Sequence, residues 1–113
     1  MVYNPSSNTV TCSGDIVSNS DAKLKENVTT IENGLEKVQN LRGVEFDYKA
    51  NGTHSLGVIA QEVEAVLPEL VAENSEGTKS VAYQKLTAVL IEAVKEQQKQ
   101  IDELKAKVDE LSK

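Results

Sequence analysis

Ser20 and Lys25 stand five residues apart in the run Ser20-Asp21-Ala22-Lys23-Leu24-Lys25-Glu26-Asn27, and together they are residue types that can cut a peptide bond. A serine hydroxyl is a poor nucleophile near neutral pH. An amine can take its proton only when burial or nearby positive charge favours the neutral form, and Lys23 supplies part of such a charge. On spacing alone the run also reads as an ordinary helix start, with Ser-Asp at the cap and Lys25 solvated. Residues five apart on a regular helix are separated by about 140°, so a working pair requires Ser20 to precede the helix. A turn or extended backbone at Asn19-Ser20 would then bring hydroxyl and amine within about 3 Å. The alternative is a lysine supplied by a neighbouring subunit.

The chemistry such a pair permits is attack by Ser20 Oγ on the carbonyl of Asn19 through a five-membered ring. This gives an ester that water hydrolyses, with Lys25 as general base. Attack by Ser20 on its own carbonyl would need a strained four-membered ring, so the bond expected to break is Asn19-Ser20. Cleavage just after Ser20 stays open if another chain provides the nucleophile.

The elements that must hold this pair are few. With 113 residues, part of them in one extended helix, only a small globular core is possible. The only rings are Phe46, Tyr3, Tyr48 and Tyr83, too few to anchor a monomer's core, and oligomerisation is the expected remedy. A formal charge of −6, with lysines interleaved among acids, argues against a nucleic-acid partner. Cys12 stands alone, so neither an intrachain disulfide nor a cysteine metal site is expected, and no cofactor is called for. No apolar run approaches the roughly twenty residues of a membrane span, and no signal peptide is evident.

Along the chain, residues 1–19 are rich in Ser, Asn and Thr, with one expected strand around Thr9-Cys12 that finds no partner within the segment. Thr29 and Glu32 form a possible capping box for a helix over 30–40. Gly43 ends it, and Val44, Phe46 and Tyr48 alternate with Glu45 and Asp47 as a half-buried strand. Asn51-Gly52 predicts a turn, with Leu56, Val58 and Ile59 pairing back as a hairpin. Gln61 to Leu67 is predicted as a helix ended by Pro68. Short strands are expected at Leu70-Ala72 and Ser80-Tyr83, around a polar turn containing Gly77. His54, beside the turn, reads as a solvated loop residue rather than a base. Glu62, Glu64 and Glu69 read as capping or solvating the short helix rather than holding a metal, since no His or Asp cluster joins them.

From about Gln84 onward there is no Gly or Pro, and Leu90, Val94, Gln97, Ile101, Leu104, Val108 and Leu111 follow at spacings of 4, 3, 4, 3, 4 and 3. This is a heptad seam. Val94, Ile101 and Val108 at a, with Leu90, Leu104 and Leu111 at d, favour two parallel strands, while the polar Gln97 is equally consistent with three. The expected fold class is α+β: a small domain of short helices and strands, followed by a long C-terminal helix that self-associates.

Read in order, SDAKLKEN, the LxGVEFDY strand, GVIAQEVEAVLPELV and VAYQKLTAVLIEAVKE running into heptads resemble the C-terminal intramolecular chaperone domains of phage tail spikes and tail fibres. These are the endosialidase-type, peptidase S74 family. The resemblance covers about residues 20–97. It implies a homotrimeric coiled coil and a chaperone that helps an upstream β-rich fibre of the same polypeptide to fold, then is released by self-cleavage in the bacterial host cytoplasm during virion assembly. It assigns Ser20 and Lys25 as the dyad, 1–19 as the stalk end, 20–83 as the globular domain and 84–113 as the coil. Asp21, Asn27, Gly57, Gln61 and Glu62 match family positions and are expected to be structural, Gly57 for close backbone approach and Gln61 for a helix start or subunit contact. The self-processing part of certain eukaryotic membrane-bound transcription factors is similar too, but their DNA-binding and membrane segments have no counterpart here. A non-cleaving trimeric clamp at a fibre end is the competing expectation.

Overall fold

The computed structural model describes residues 1–113. Its radius of gyration is 19.0 Å, where about 13 Å is usual for a compact domain of this length. The excess comes from a C-terminal helix that projects from a small body, giving extents of 65 × 40 × 30 Å. The elements are α+β, as the sequence implies, with three separate two-stranded antiparallel sheets and no larger sheet.

The first sheet pairs β1 (Val2–Asn4) with β2 (Thr9–Thr11), so the strand expected to lack a local partner has one. The intervening turn explains it. Asn4 Oδ1 accepts from Ser6 N at 3.0 Å and Ser6 Oγ at 2.7 Å, and Asn8 takes a positive φ of 57°, which Asn tolerates better than most residues. From Ser13 to Thr30 every residue is exposed, including Ile16, Val17, Leu24 and Val28.

Helix α1 (Gly34–Gln39) is shorter than the expected 30–40. The Thr29/Glu32 capping box does not form: Asn33 is the N-cap, left-handed at φ 58°, with no side-chain cap of its own. Capping comes from a distant helix, because the Glu96 carboxylate accepts from Gly34 N at 3.1 Å and from Leu35 N at 2.9 Å. Local sequence therefore loses to a tertiary acceptor that satisfies two of the helix's orphan amides at once.

The second sheet is the hairpin of β3 (Val44–Asp47) and β4 (His54–Gly57), in register Val44↔Gly57 through Asp47↔His54. Gly52 at φ 71° makes the turn. Val44, Phe46, Ser55 and Gly57 share the half-buried face, while Glu45, Asp47, His54 and Leu56 share the exposed one. The strand thus begins earlier than the apolar run, and Val58 and Ile59 lie beyond it, leading into α2 (Ala60–Val66).

Pro68 opens a one-turn 3-10 helix, Pro68–Leu70, followed by the hairpin of β5 (Val71–Glu73) and β6 (Lys79–Val81). Tyr83, expected in a strand, lies in a second one-turn 3-10 helix, Tyr83–Lys85, that leads into α3 (Leu86–Leu111). The core is Val63, Leu67, Leu70 and Val89, flanked by Ile31, Val38, Leu41, Val58, Val66, Val71, Val81 and Leu86. Only 6 of 113 residues are buried, so the core of a single copy is small.

α3 carries two different faces. Val89 and Ala93 turn inward. The approach to α1 is so close that a Cβ on Gly34 would lie 2.9 Å from Ala93 N. On the other side, Leu90, Val94, Ile101, Leu104, Val108 and Leu111 are 41% to 85% exposed, and Gln97 is exposed between them. Beyond Gln97 every residue of the helix is exposed.

Candidate active site

The stretch around Ser20 is built by one short turn. Asp21 is extended (φ −65°, ψ 138°) and caps a one-turn 3-10 helix, Ala22–Leu24, its carboxylate accepting from Lys23 N at 2.9 Å. Lys25 closes that turn through its own N–H to Ala22 O and is extended again at φ −123°, ψ 148°. Ser20 lies before the turn and Lys25 at its end, so the 140° separation of a regular helix never arises. As a result Lys25 Nζ donates to Ser20 Oγ at 2.6 Å within one chain. Asn27 then takes φ 54° and redirects the chain toward α1.

Ser20, Asp21, Lys23 and Lys25 are all exposed. The amine is close enough to receive a proton from the hydroxyl, but nothing in the single chain keeps water from it. Asp21 is occupied with the backbone and is not directed at the pair.

The other sequence-matched positions lie apart from this pair. Gly57 has Tyr83 where a side chain would go: a Cβ there would meet Tyr83 OH at 2.5 Å, and the same hydroxyl accepts from Val58 N at 3.2 Å. Gln61 is exposed on α2 and lines a groove of about 440 Å³ with Phe46, Tyr48, Val58, Val81 and Tyr83. Glu62, expected to cap or face solvent, instead accepts both Arg42 Nε at 3.1 Å and Nη2 at 2.7 Å. That bidentate hydrogen bond holds the Glu62 carboxyl below the usual carboxylate range and raises the Arg42 guanidinium.

Glu64 is likewise paired, with Lys79, whose ammonium the hydrogen bond raises. These two carboxylates bridge α2 to its neighbours. His54 is also not the loop residue expected. It sits in β4 with Nδ1 2.7 Å from Asp47 and Nε2 3.2 Å from Glu45, and the Asp47 hydrogen bond, then that to Glu45, raises its pKa above the ordinary imidazole value. A two-residue turn at Asn51-Gly52 would set Lys49 opposite His54; the longer loop over residues 49–52, closed by Tyr48 N to Thr53 O, sets Asp47 there instead, so the turn signal alone did not reveal this pairing.

Sequence reasoning missed Gly34, Arg42 and Glu96. Gly34 follows Asn33 in an Asn-Gly pair that signals a left-handed residue, but the helix it packs against is about sixty positions away. Nothing local marks Glu96 as a cap.

No helix of the chain is long and apolar enough to cross a membrane. Residues 20–72 match the Peptidase_S74 family, described as chaperone of endosialidase. Among curated proteins, the long tail fiber protein Gp37 of Salmonella phage S16 is 35% identical over 108 residues, 86% of this chain and 14% of that protein. The long tail fiber protein Gp37 of Enterobacteria phage K3 is 41% identical over 99 residues, 79% of this chain and 8% of that one. Myelin regulatory factor homolog 1 of Caenorhabditis elegans is 37% identical over 73 residues, 54% of this chain and 8% of the relative. The chain thus spans only a small part of the length of these relatives. The matched segment begins at Ser20 and runs through the Ser20–Lys25 turn, α1, both strands of the β3–β4 hairpin and α2, so the chain carries a domain of the Peptidase_S74 family, the chaperones of endosialidase.

Proposed function

We propose that this chain is a self-cleaving assembly chaperone of a phage tail fibre. Three copies join through the α3 seam, align the fibre segments that precede them, and are then severed from the fibre at Asn19-Ser20. The observation that carries the catalytic part is the 2.6 Å hydrogen bond between Lys25 Nζ and Ser20 Oγ inside one chain. The relatives' identity as tail fibre proteins supports the fibre context.

In the reaction, Lys25 as a neutral amine takes the Ser20 hydroxyl proton while Oγ bonds to the Asn19 carbonyl carbon. The tetrahedral centre collapses with loss of the Asn19–Ser20 C–N bond, and the departing nitrogen takes up a proton. The ester left between Asn19 and Ser20 Oγ is hydrolysed by water to the Asn19 carboxylate and a free Ser20 hydroxyl. A neutral amine is favoured where water is excluded. Because the pair is exposed in one copy, neighbouring copies are the natural source of that exclusion, and cleavage then follows assembly.

The apolar seam supports self-association, and the trimeric number follows from the family resemblance together with Gln97. Six apolar side chains are exposed along one stripe, and a helix beyond Gln97 with no contact to its own domain has only other copies to pack on. The domain limits that accompany the proposal are 1–19 for the stalk end, 20–83 for the globular chaperone and 84–113 for the coil.

Intact mass followed over time, on wild type and on Ser20→Ala, tests the proposal. A fragment beginning at Ser20 that accumulates in wild type and not in Ser20→Ala is expected. A 113-residue species that persists in both, while the protein remains trimeric, would leave the non-cleaving clamp as the function.

A further inference from the structure

We propose that Asn51 is a self-modification site, converting through a cyclic imide with Gly52 to an aspartyl or isoaspartyl residue, while the chain's other Asn-Gly pair, Asn33-Gly34, is held inert by Glu96. These two pairs are the only places where asparagine precedes glycine, whose missing Cβ leaves its amide nitrogen open to approach by the neighbouring side chain. The reaction needs that nitrogen as nucleophile and the side-chain amide carbon as electrophile. The two pairs differ in both respects.

At Asn51 the electrophile is activated. Thr53 N donates to Asn51 Oδ1 at 2.9 Å, on the oxygen where negative charge develops as the ring closes, so the loop supplies its own oxyanion donor. Gly52 N donates to the neutral Tyr48 O at 2.7 Å, but residues 47–54 are all exposed, and this bond opens with the loop. Asn51 also lines a groove of about 450 Å³ between the loop and the β1–β2 turn at Ser7 and Asn8, which leaves room for the ring. Ring closure forms a bond from Gly52 N to Asn51 Cγ and breaks Cγ–Nδ2, and the proton lost by Gly52 N leaves with the departing nitrogen as ammonia. Water then opens the imide at either carbonyl. One opening leaves an aspartyl residue, and the other routes the backbone through the side chain and lengthens the loop by one carbon. Both add a carboxylate to the groove.

At Asn33 each requirement fails. Gly34 is buried, and its N donates to a carboxylate oxygen of Glu96 at 3.1 Å. A negative charge there opposes loss of the amide proton that would make the nitrogen nucleophilic. The Asn33 side chain makes no capping hydrogen bond, so no donor of that kind activates its carbonyl. Gly34 has no space to swing toward it either, since a Cβ there would already lie 2.9 Å from Ala93 N.

The test holds the full chain in mildly alkaline buffer, folded and in parallel in urea, and follows the peptides carrying each pair by mass, with an isoaspartyl methyltransferase reporting the rearranged product. In urea both pairs should convert at similar rates. In the folded chain Asn51 should convert while Asn33 lags by roughly tenfold or more, the scale set by local opening of a capped helix start. Glu96→Ala should quicken conversion of Asn33 by roughly 2- to 30-fold, the range that follows from losing a helix cap, and leave Asn51 unchanged. Glu96→Gln retains one acceptor without the charge and should give a smaller rise. It is the readable variant if Glu96→Ala does not fold.

An Asn51 amide that persists in the folded chain while it converts in urea would overturn the proposal, as would an Asn33 that keeps pace with Asn51 in the folded protein. Asn33 remaining as inert in both Glu96 variants as in wild type would overturn the protective role given to Glu96.

Discussion

Gly34→Ala is the perturbation whose outcome follows most directly from the packing. In an exposed helix the change would stabilise by up to about 1 kcal/mol, through helix propensity and a less flexible unfolded chain. Here the added Cβ would lie 2.9 Å from Ala93 N, 3.1 Å from Val89 O and 3.1 Å from Glu92 Cβ, inside ordinary contact distance for all three. Two of those atoms are α3 backbone and cannot yield without breaking the helix, so α1 must retreat. Retreat also lengthens the two Glu96 bonds, now 3.1 and 2.9 Å. Overpacking of this kind costs about 1–3 kcal/mol, and the middle of that range, about 2 kcal/mol, less a propensity gain of up to about 1 kcal/mol leaves a net loss of roughly 1–2 kcal/mol.

For a chain of this size that corresponds to a fall in Tm of roughly 4–10 °C. The assay is thermal and urea unfolding followed by helical circular dichroism, at one fixed protomer concentration because association shifts the midpoint. Gly43→Ala, where a Cβ meets nothing within 4 Å, is the matched control and should stay within about 0.5 kcal/mol of wild type. Gly34→Ala as stable as wild type, or more so, would refute the close α1–α3 approach.

Three further outcomes are expected. Mixed trimers of Ser20→Ala and Lys25→Ala chains should remain uncleaved by intact mass, because the 2.6 Å contact lies within one chain and neither parent carries both groups; recovered cleavage would mean a lysine donated between subunits. His54, raised above its ordinary value by Asp47 and Glu45, contributes to hairpin stability fully below about pH 6.5 and loses that contribution as pH rises through its higher folded value. Its imidazole resonance should therefore titrate above 6.5, and His54→Gln should flatten the change in Tm over this window; a titration at or below the ordinary value would contradict the pairing. Replacing Ile101 and Leu104 together by Asp should convert the protein to single molecules in sedimentation, since buried unpaired charges are strongly disfavoured in a seam. Trimers persisting in that double variant would move the interface elsewhere.

Much of the fold is legible in the residues because the signals involved are local. Asn51-Gly52 specifies its turn within four residues, Pro68 ends α2 by lacking an N–H and clashing with the preceding turn, and the seam from Leu90 to Leu111 is written at fixed spacings with no Gly or Pro to interrupt it. Ser20 and Lys25 could be named from residue type, and the need for Ser20 to precede a helix followed from 3.6-residue geometry. Tertiary structure decided what depends on partners far along the chain. Gly34 rather than Thr29 governs the start of α1, because the Glu96 carboxylate offers two acceptors that a local Thr/Glu box cannot match in place. Glu62 and Glu64 turn to Arg42 and Lys79 because those cations are brought beside α2 by the hairpins, and His54 becomes an ion-pair centre only through strand register. The Ser20–Lys25 pair shows the division: composition supplied a hydroxyl and an amine, but only the single 3-10 turn, whose tighter closure is capped by Asp21, sets them 2.6 Å apart.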